Sequence, residues 1–285
     1  MGVRNDNTTS YVHADEPNLL NIHKAMEYDS AGQPILRTTA STFEGGINIS
    51  NGSLTGVSYV EKFGRNDSLT ANIETVWDGS SIYTYLSSDS NLYVTSDDGD
   101  DNPAGNGART VEVQGLDASY NLVTEEINID DSASTASFIR VFRVLVKTAG
   151  STGSAEGTIS IRSASGGGGT LLSQIGKIGT GGGASLGQTF MAIYTIPADK
   201  TGYLTQWTVG AGGQNADTTA LLVARPFGGA FNSKDIVISA GSQYSKDYKV
   251  PLMFTQKTDI EVRAFSSSNG NDISSTFNII LVDNT

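Results

Sequence analysis

The chain has 285 residues, 17% of them charged, and a net charge of −12. It contains no cysteine and only two histidines, His13 and His23, which excludes a disulfide framework, a thiolate metal site and a histidine-rich zinc site. No apolar run reaches the ~20 residues of a membrane helix, and the opening MGVRNDNTTS has neither a signal-peptide core nor, at Asp6, the Ser or Thr of a myristoylation signal.

The expectation is therefore a protein made in a cytoplasm, without a membrane partner. Residues 1–165 hold 22 acidic and 10 basic side chains, whereas residues 166–285 hold 8 of each. Phosphate contacts need clustered Lys and Arg, so this balance speaks against nucleic acid as a partner and for solubility at high concentration.

Residues 1–40 are polar and irregular. Asp15 is placed to cap a short helix in which Leu19, Ile22, His23 and Met26 share a face. The isolated apolar residues of this segment, Leu19, Leu20, Ile22 and Met26 among them, read as an anchoring arm ordered against a partner. The alternative is a segment that closes its own core. YDSAGQP (Tyr28–Pro34) reads as a turn.

From Phe43 the hydrophobic period changes to two, and residues 41–163 read as an acidic β-sandwich domain. Its short runs are Ile47/Ile49, Val57/Tyr59, Ile73/Thr75/Trp77, Ile82/Thr84/Leu86 and Leu92/Val94. Ala104–Ile129 reads as one β-hairpin with a polar turn. Phe138–Lys147 (FIRVFRVLVK) is apolar on both parities, which predicts a strand covered on both faces or used in an interface through Phe138, Val141, Phe142 and Leu145. Gly157–Ser163 is the expected last strand.

Residues 164–186, with ASGGGG and GTGGG around LLSQIGKI, read as a Gly-rich linker. Residues 187–285 then form a C-terminal β-sandwich domain with strands at Phe190–Ile196, Tyr203–Val209, Leu221–Phe227, Ile236–Ile238, Ile260–Ala264 and Phe277–Val282. In Thr258–Ala264, Ile260, Val262 and Ala264 are expected inward, and Asp259, Glu261 and Arg263 outward. The predicted fold class is all-β: two antiparallel β-sandwich or jelly-roll-like domains joined by the linker, behind an irregular N-terminal arm.

Four aspartates crowd SDDGDDN. Asp98, Asp100 and Asn102 have the spacing of the first calcium-loop ligands, but Pro103 stands where an EF-hand needs Gly and Arg109 where it needs Glu. The reading is a solvated loop, with Asp97, Asp98, Asp100 and Asp101 structurally dispensable, and a looser calcium site as the alternative; no other cofactor is expected. GKI (Gly176–Ile178) lacks the Ser or Thr of a phosphate loop, no nucleophile elbow is present, and both histidines lie in the irregular arm. Catalysis is not expected. Trp77, Tyr83, Tyr85, Tyr93, Tyr203 and Trp207 read as core or interface aromatics, or alternatively as sugar-stacking platforms.

GARTVEVQGLDASYNLVTEEINI, IPADKTGYLTQWTVGAGG, LLVARPFGGAFNSKDI and KTDIEVRA resemble virion structural proteins of tailed bacteriophages, over about two thirds of the chain. The resemblance implies a non-enzymatic, oligomeric particle component on the capsid surface or in the tail, and carries over no functional residues. The expectation is a capsid decoration (cement) protein that binds the major capsid protein, or another virion protein, as a homotrimer. A tail or neck accessory protein or fibre adaptor is the alternative within that class. A carbohydrate- or receptor-binding module is the alternative outside it.

Overall fold

The computed structural model describes residues 24–28, 34–38, 42–178, 183–212, 217–239 and 241–284. The chain forms two compact units, Met1–Ser58 and Tyr59–Thr285. Among the described residues no helix is long and apolar enough to cross a membrane.

In the first unit β1 (Lys24–Tyr28) and β2 (Pro34–Thr38) pair antiparallel, with Met26 opposite Leu36. Met26 thus belongs to a strand and not to the expected helix; Leu19, Leu20 and Ile22 lie outside the described residues. The helix comes later, as α1 (Thr42–Ser50), where Ile47/Ile49 was expected to be a strand. Two glycines, Gly45 and Gly46, hide this helix from propensity. Its end is marked by Gly52, whose φ of 72° supplies the left-handed residue that stops a helix.

β3 (Val57–Leu69) leads into the second unit, followed by β4 (Glu74–Thr75) and β5 (Ser90–Ser96). Then come β6 (Ala108–Leu116), β7 (Leu122–Asn128), β8 (Ala133–Phe138) and β9 (Arg140–Ala149). β10 (Ile159–Arg162), β11 (Leu171–Ile175), β12 (Lys177–Ile178), β13 (Ala184–Ser185) and β14 (Ile193–Thr195) are short. The long strands are β15 (Lys200–Ala211), β16 (Thr218–Arg225), β17 (Asn232–Ser239), β18 (Gln243–Phe254), β19 (Asp259–Ser266) and β20 (Asn271–Asp283).

The fold is all-β and antiparallel, as the alternating runs required. Sheets β11-β10-β5-β8 and β7-β6-β9 enclose one core, built on Leu92, Val94, Val111, Val113, Ile159 and Ile161. Sheets β14-β19-β16-β17, with β4 on β19, and β18-β15-β20-β3 enclose the other, centred on Trp207 and Phe277. The expected hairpin is β6–β7, in register from Thr110↔Asn128 to Leu116↔Leu122. Asp117 folds its turn by accepting the amides of Ser119 (2.8 Å) and Asn121 (2.9 Å) on Oδ1.

The domain boundaries differ from the expected ones. β3 and β4 pair with β20 and β19, so the chain starts the second sandwich, builds the first, and returns. The presumed linker 164–186 contains β11, which pairs with β10 and buries Leu172 and Ile175. Its glycines serve a tight turn instead: Gly166, Gly167 and Gly169 all have positive φ. The run Ile82/Thr84/Leu86 is irregular, because Tyr83 N–H is taken by Thr75 Oγ1 (2.9 Å) and not by a strand. β18 was not foreseen in the sequence.

Phe138–Lys147 divides into β8 and β9 at Ile139, and its two apolar faces both find cores within the chain. Phe138 (0% exposed) and Val141 (2%) pack in the first core, and Ile139 and Phe142 in the second. Leu145 is half-buried and bridges to Gln188. Phe138, Val141 and Phe142, expected in a subunit interface, thus lie in an internal junction. Truncating such a side chain removes core packing, so Phe138→Ala should cost about 3–5 kcal/mol. Chemical denaturation should show this as an earlier midpoint, with the native mass by light scattering unchanged.

Candidate functional site

The junction of the two sandwiches contains a buried ionic cluster. Asp259, at the start of β19, is 3% exposed. Arg140 of β9 binds it through both Nε (2.8 Å to Oδ1) and NH2 (3.1 Å to Oδ2). Arg225, at the end of β16, donates Nε (3.1 Å) and NH2 (2.5 Å) to Oδ2, and Thr195 of β14 donates its hydroxyl to Oδ1 at 2.6 Å. Both carboxylate oxygens are thus saturated by charged or hydroxyl donors, the condition under which a buried carboxylate is stable.

A second buried acid extends the cluster. Glu261 (0% exposed) accepts from Arg263 and from Tyr85 Oη (2.9 Å). Aromatic faces cover the guanidinium groups: Arg140 lies over Tyr85 (4.9 Å) and Tyr120 (5.4 Å), Arg225 over Tyr85 (4.6 Å) and Phe231 (4.7 Å), and Arg263 over Phe231 (4.3 Å). Arg140 NH1 also donates to the carbonyls of Leu86 (3.0 Å) and Ile139 (2.8 Å). Burial pushes the Glu261 carboxyl up despite Arg263 and Tyr85. Burial alone would lower Arg140, but the bond and charge of Asp259 outweigh it and hold the guanidinium above its ordinary value.

Asp259 and Glu261 were expected on a solvent face. The alternation of β19 is intact, with Ile260, Val262 and Ala264 all in the core. What the strand pattern omits is that its other face is roofed by residues 83–86 and by β9. The available signal was arginine on strands otherwise apolar, at Arg140, Arg225 and Arg263.

Nearby, Lys62 of β3 is 2% exposed and donates to the carbonyl of Phe142, and burial, with Arg143 adding to it, lowers its ammonium well below the ordinary value. Asp78 faces Arg65 at 3.6 Å, and burial raises its carboxyl to about 6.

The acidic loop behaves differently from its expectation. Asp98 Oδ1 and Asn102 Oδ1 close short turns on the amides of Asp100 and Ala104, both at 2.9 Å. Among the described residues no three acidic or histidine side chains converge as a metal site. Asp101, however, is 4% exposed, unlike a residue of a solvated loop. It accepts the amides of Ala108 (2.7 Å), Glu156 (2.9 Å) and Gly157 (2.7 Å), and the hydroxyl of Ser96 (2.7 Å). Burial works against its charge, but these four donors prevail and hold its carboxyl below the ordinary range. Gly107 allows the approach, since a Cβ there would sit 2.2 Å from Asp101 Oδ1. Asp97 also accepts an amide, from Thr158 at 2.7 Å.

Of the aromatics singled out in the sequence, Trp77, Tyr83 and Trp207 are buried, while Tyr85, Tyr93 and Tyr203 are half-buried. Trp77, Tyr83 and Tyr85 form an edge-to-face ladder at 5.1 and 4.8 Å between centroids. An open depression of about 390 Å3 lies on the outer side of β15 and β20, lined by Thr208, Gly210, Gln243, Ser274 and Thr276 among others.

No protein-family model matches the chain, and no curated protein does. Among solved structures, one of infectious bursal disease virus, Gx strain, is 11% identical over 80% of this chain and 72% of that one, with a TM-score of 0.23. T=1 particles derived from that virus give 11% identity over 81% and 75%, with a TM-score of 0.15, and its VP2 subviral particle 12% over 81% and 72%, with 0.16. At these scores the likeness fixes neither fold nor function.

Three outcomes follow from the geometry. Asp101→Asn should cost roughly 2–3 kcal/mol, because buried amides lose a charged acceptor, whereas Asp100→Asn should cost under about 0.5 kcal/mol; thermal melts at pH 7 compare them. Because the folded Asp101 lies below the ordinary 3.8, its contribution is complete above that pH and is lost as pH falls through its lowered value, so the gap between wild type and Asp101→Asn should close in acid. Asp259→Asn leaves two arginines facing a neutral group and should cost about 3–5 kcal/mol. Scanning calorimetry should then resolve two transitions where the wild type shows one.

Proposed function

We propose that the chain is a virion structural protein, and specifically a bacteriophage capsid decoration protein that binds the outer shell as a homotrimer and reinforces contacts between capsid subunits. The observation that carries this reading is the buried ionic junction. It spends the strongest polar groups of the chain on fixing two sandwiches to each other, which suits a part whose task is to keep a shape under load. The phrase-level resemblance to tailed-phage virion proteins supports the particle setting. The reading assigns no catalysis and no cofactor; its partners are the chain itself and the major capsid protein or another virion protein, and its place is the virion, assembled in the host cytoplasm. Residues 1–40 act as the anchoring arm.

Burial of Trp77, Tyr83 and Trp207 removes the widest rings from the sugar-binding alternative. Immunogold electron microscopy of the particle tests the location: label spread over the shell is the expected result, and label confined to the tail or neck assigns the accessory role instead. A chain starting at Thr42 should keep its circular dichroism spectrum and fail to co-sediment with particles. Retained binding would exclude residues 1–40 as the anchor.

A further inference from the structure

Two sheet edges in the second unit are built alike. β17 ends the sheet β14-β19-β16-β17, and β7 ends the sheet β7-β6-β9. Each pins itself inward with one carboxylate. Asp235 Oδ2 accepts Lys246 Nζ (2.6 Å) and Tyr248 Oη (2.7 Å) from β18, and Glu125 accepts the amides of Thr135 (2.7 Å) and Ala136 (2.8 Å) from β8. That leaves the opposite row of each edge strand outward. On β17 the outward row is Lys234, Ile236 (56% exposed) and Ile238 (66%); on β7 it is Leu122 (55%), Thr124 and Glu126.

These rows are complementary when read antiparallel. Leu122 falls opposite Ile238, Thr124 opposite Ile236, and Glu126 opposite Lys234, so one register matches apolar to apolar and acid to base. The match extends to the surroundings. Residues 90–175, which carry β7, hold eleven acidic and five basic side chains, whereas residues 166–285, which carry β17, are balanced. An exposed apolar strand edge with Lys234 in its outward row suits an acidic partner, and this chain carries one.

We propose that β17 of one copy receives β7 of a second copy, edge to edge and antiparallel. Each copy offers both edges, so the contact is heterologous and three copies close a ring. The inference rests on the self-association proposed above and assigns it a surface.

Light scattering at micromolar concentration provides the test, with four variants: Ile236→Asp combined with Ile238→Asp, Lys234→Glu, Glu126→Lys, and the charge swap of the last two. The wild type should show about three times the 29.9 kDa chain mass. The Ile236→Asp/Ile238→Asp variant should run at the mass of one chain with an unchanged circular dichroism spectrum. Each single reversal should weaken association about tenfold, since it sets like charges opposite each other, and the swap should restore it. A monomeric wild type overturns both the homotrimer and this contact. An oligomer indifferent to all four variants, or one that the swap fails to restore, overturns only the contact between β17 and β7.

Discussion

Asp259 is a carboxylate only 3% exposed, and much of the arrangement of the second unit follows from that constraint. A carboxylate removed from solvent needs donors on every lone pair, since the cost of desolvating it is several kcal/mol. Those donors come from β9, β14 and β16, strands distant in sequence from β19 and divided between the two sandwiches. Satisfying one anion therefore fixes where Arg140, Thr195 and Arg225 must stand, and with them the angle at which the first sandwich meets the second. The rings of Tyr85, Tyr120 and Phe231 complete the solution by covering the guanidinium faces that no oxygen reaches. A hydrophobic junction would bury as much area, but it would accept many relative orientations; a bidentate pair accepts few.

The path of the chain makes the junction obligatory. β3 and β4 complete sheets whose other members are the last strands of the chain. They cannot find partners until β19 and β20 have formed, and the first sandwich is held between these two events. Closing such long loops before any contact rewards it slows folding. The two sandwiches also share packing, because Leu116, Tyr120, Ile139 and Phe142 of the first complete the core of the second. Within the second sandwich Gly64 lets β3 pass close to its neighbours: a Cβ there would lie 2.2 Å from the carbonyl of Val76 and 2.3 Å from the amide of Ala192.

The elements legible in the sequence were those decided locally. The hairpin β6–β7 follows from alternation and from an Asp-led turn, and the inward row Ile260, Val262 and Ala264 from a period of two. What escaped depended on partners far along the chain. The two-faced apolarity of Phe138–Lys147 was visible, but the sequence does not say whether the second face meets a neighbouring subunit or a second core of the same molecule. Burial of Asp259 and Glu261 was hidden for the same reason, because an alternating strand looks half-exposed whatever roofs its polar face. Asp101 escaped differently. It sits among three acidic neighbours that look alike in the sequence, and only the fold delivers the amides of Ala108, Glu156 and Gly157 to this one. Glycine density misled because tight turns and flexible connections use the same residue.

The acidic side chains of this protein thus do two kinds of work. A few are interior fasteners: Asp101 closes a loop onto β6, Asp259 joins the sandwiches, and Glu125 and Asp235 hold sheet edges across the gap between facing sheets. Most of the other acidic side chains among the described residues lie outside. The division matters at the edges. An inward carboxylate fixes the twist of an edge strand, so its outward row is presented in one register and not as a mobile ribbon. An exposed edge is a hazard when any strand can pair with it. It becomes a selective surface when charge decides which strand can approach, and the excess of acid over base in residues 90–175 repels copies that would meet first sandwich to first sandwich. The same charge that keeps these edges apart in one orientation favours their contact with β17, where Lys234 stands in the outward row.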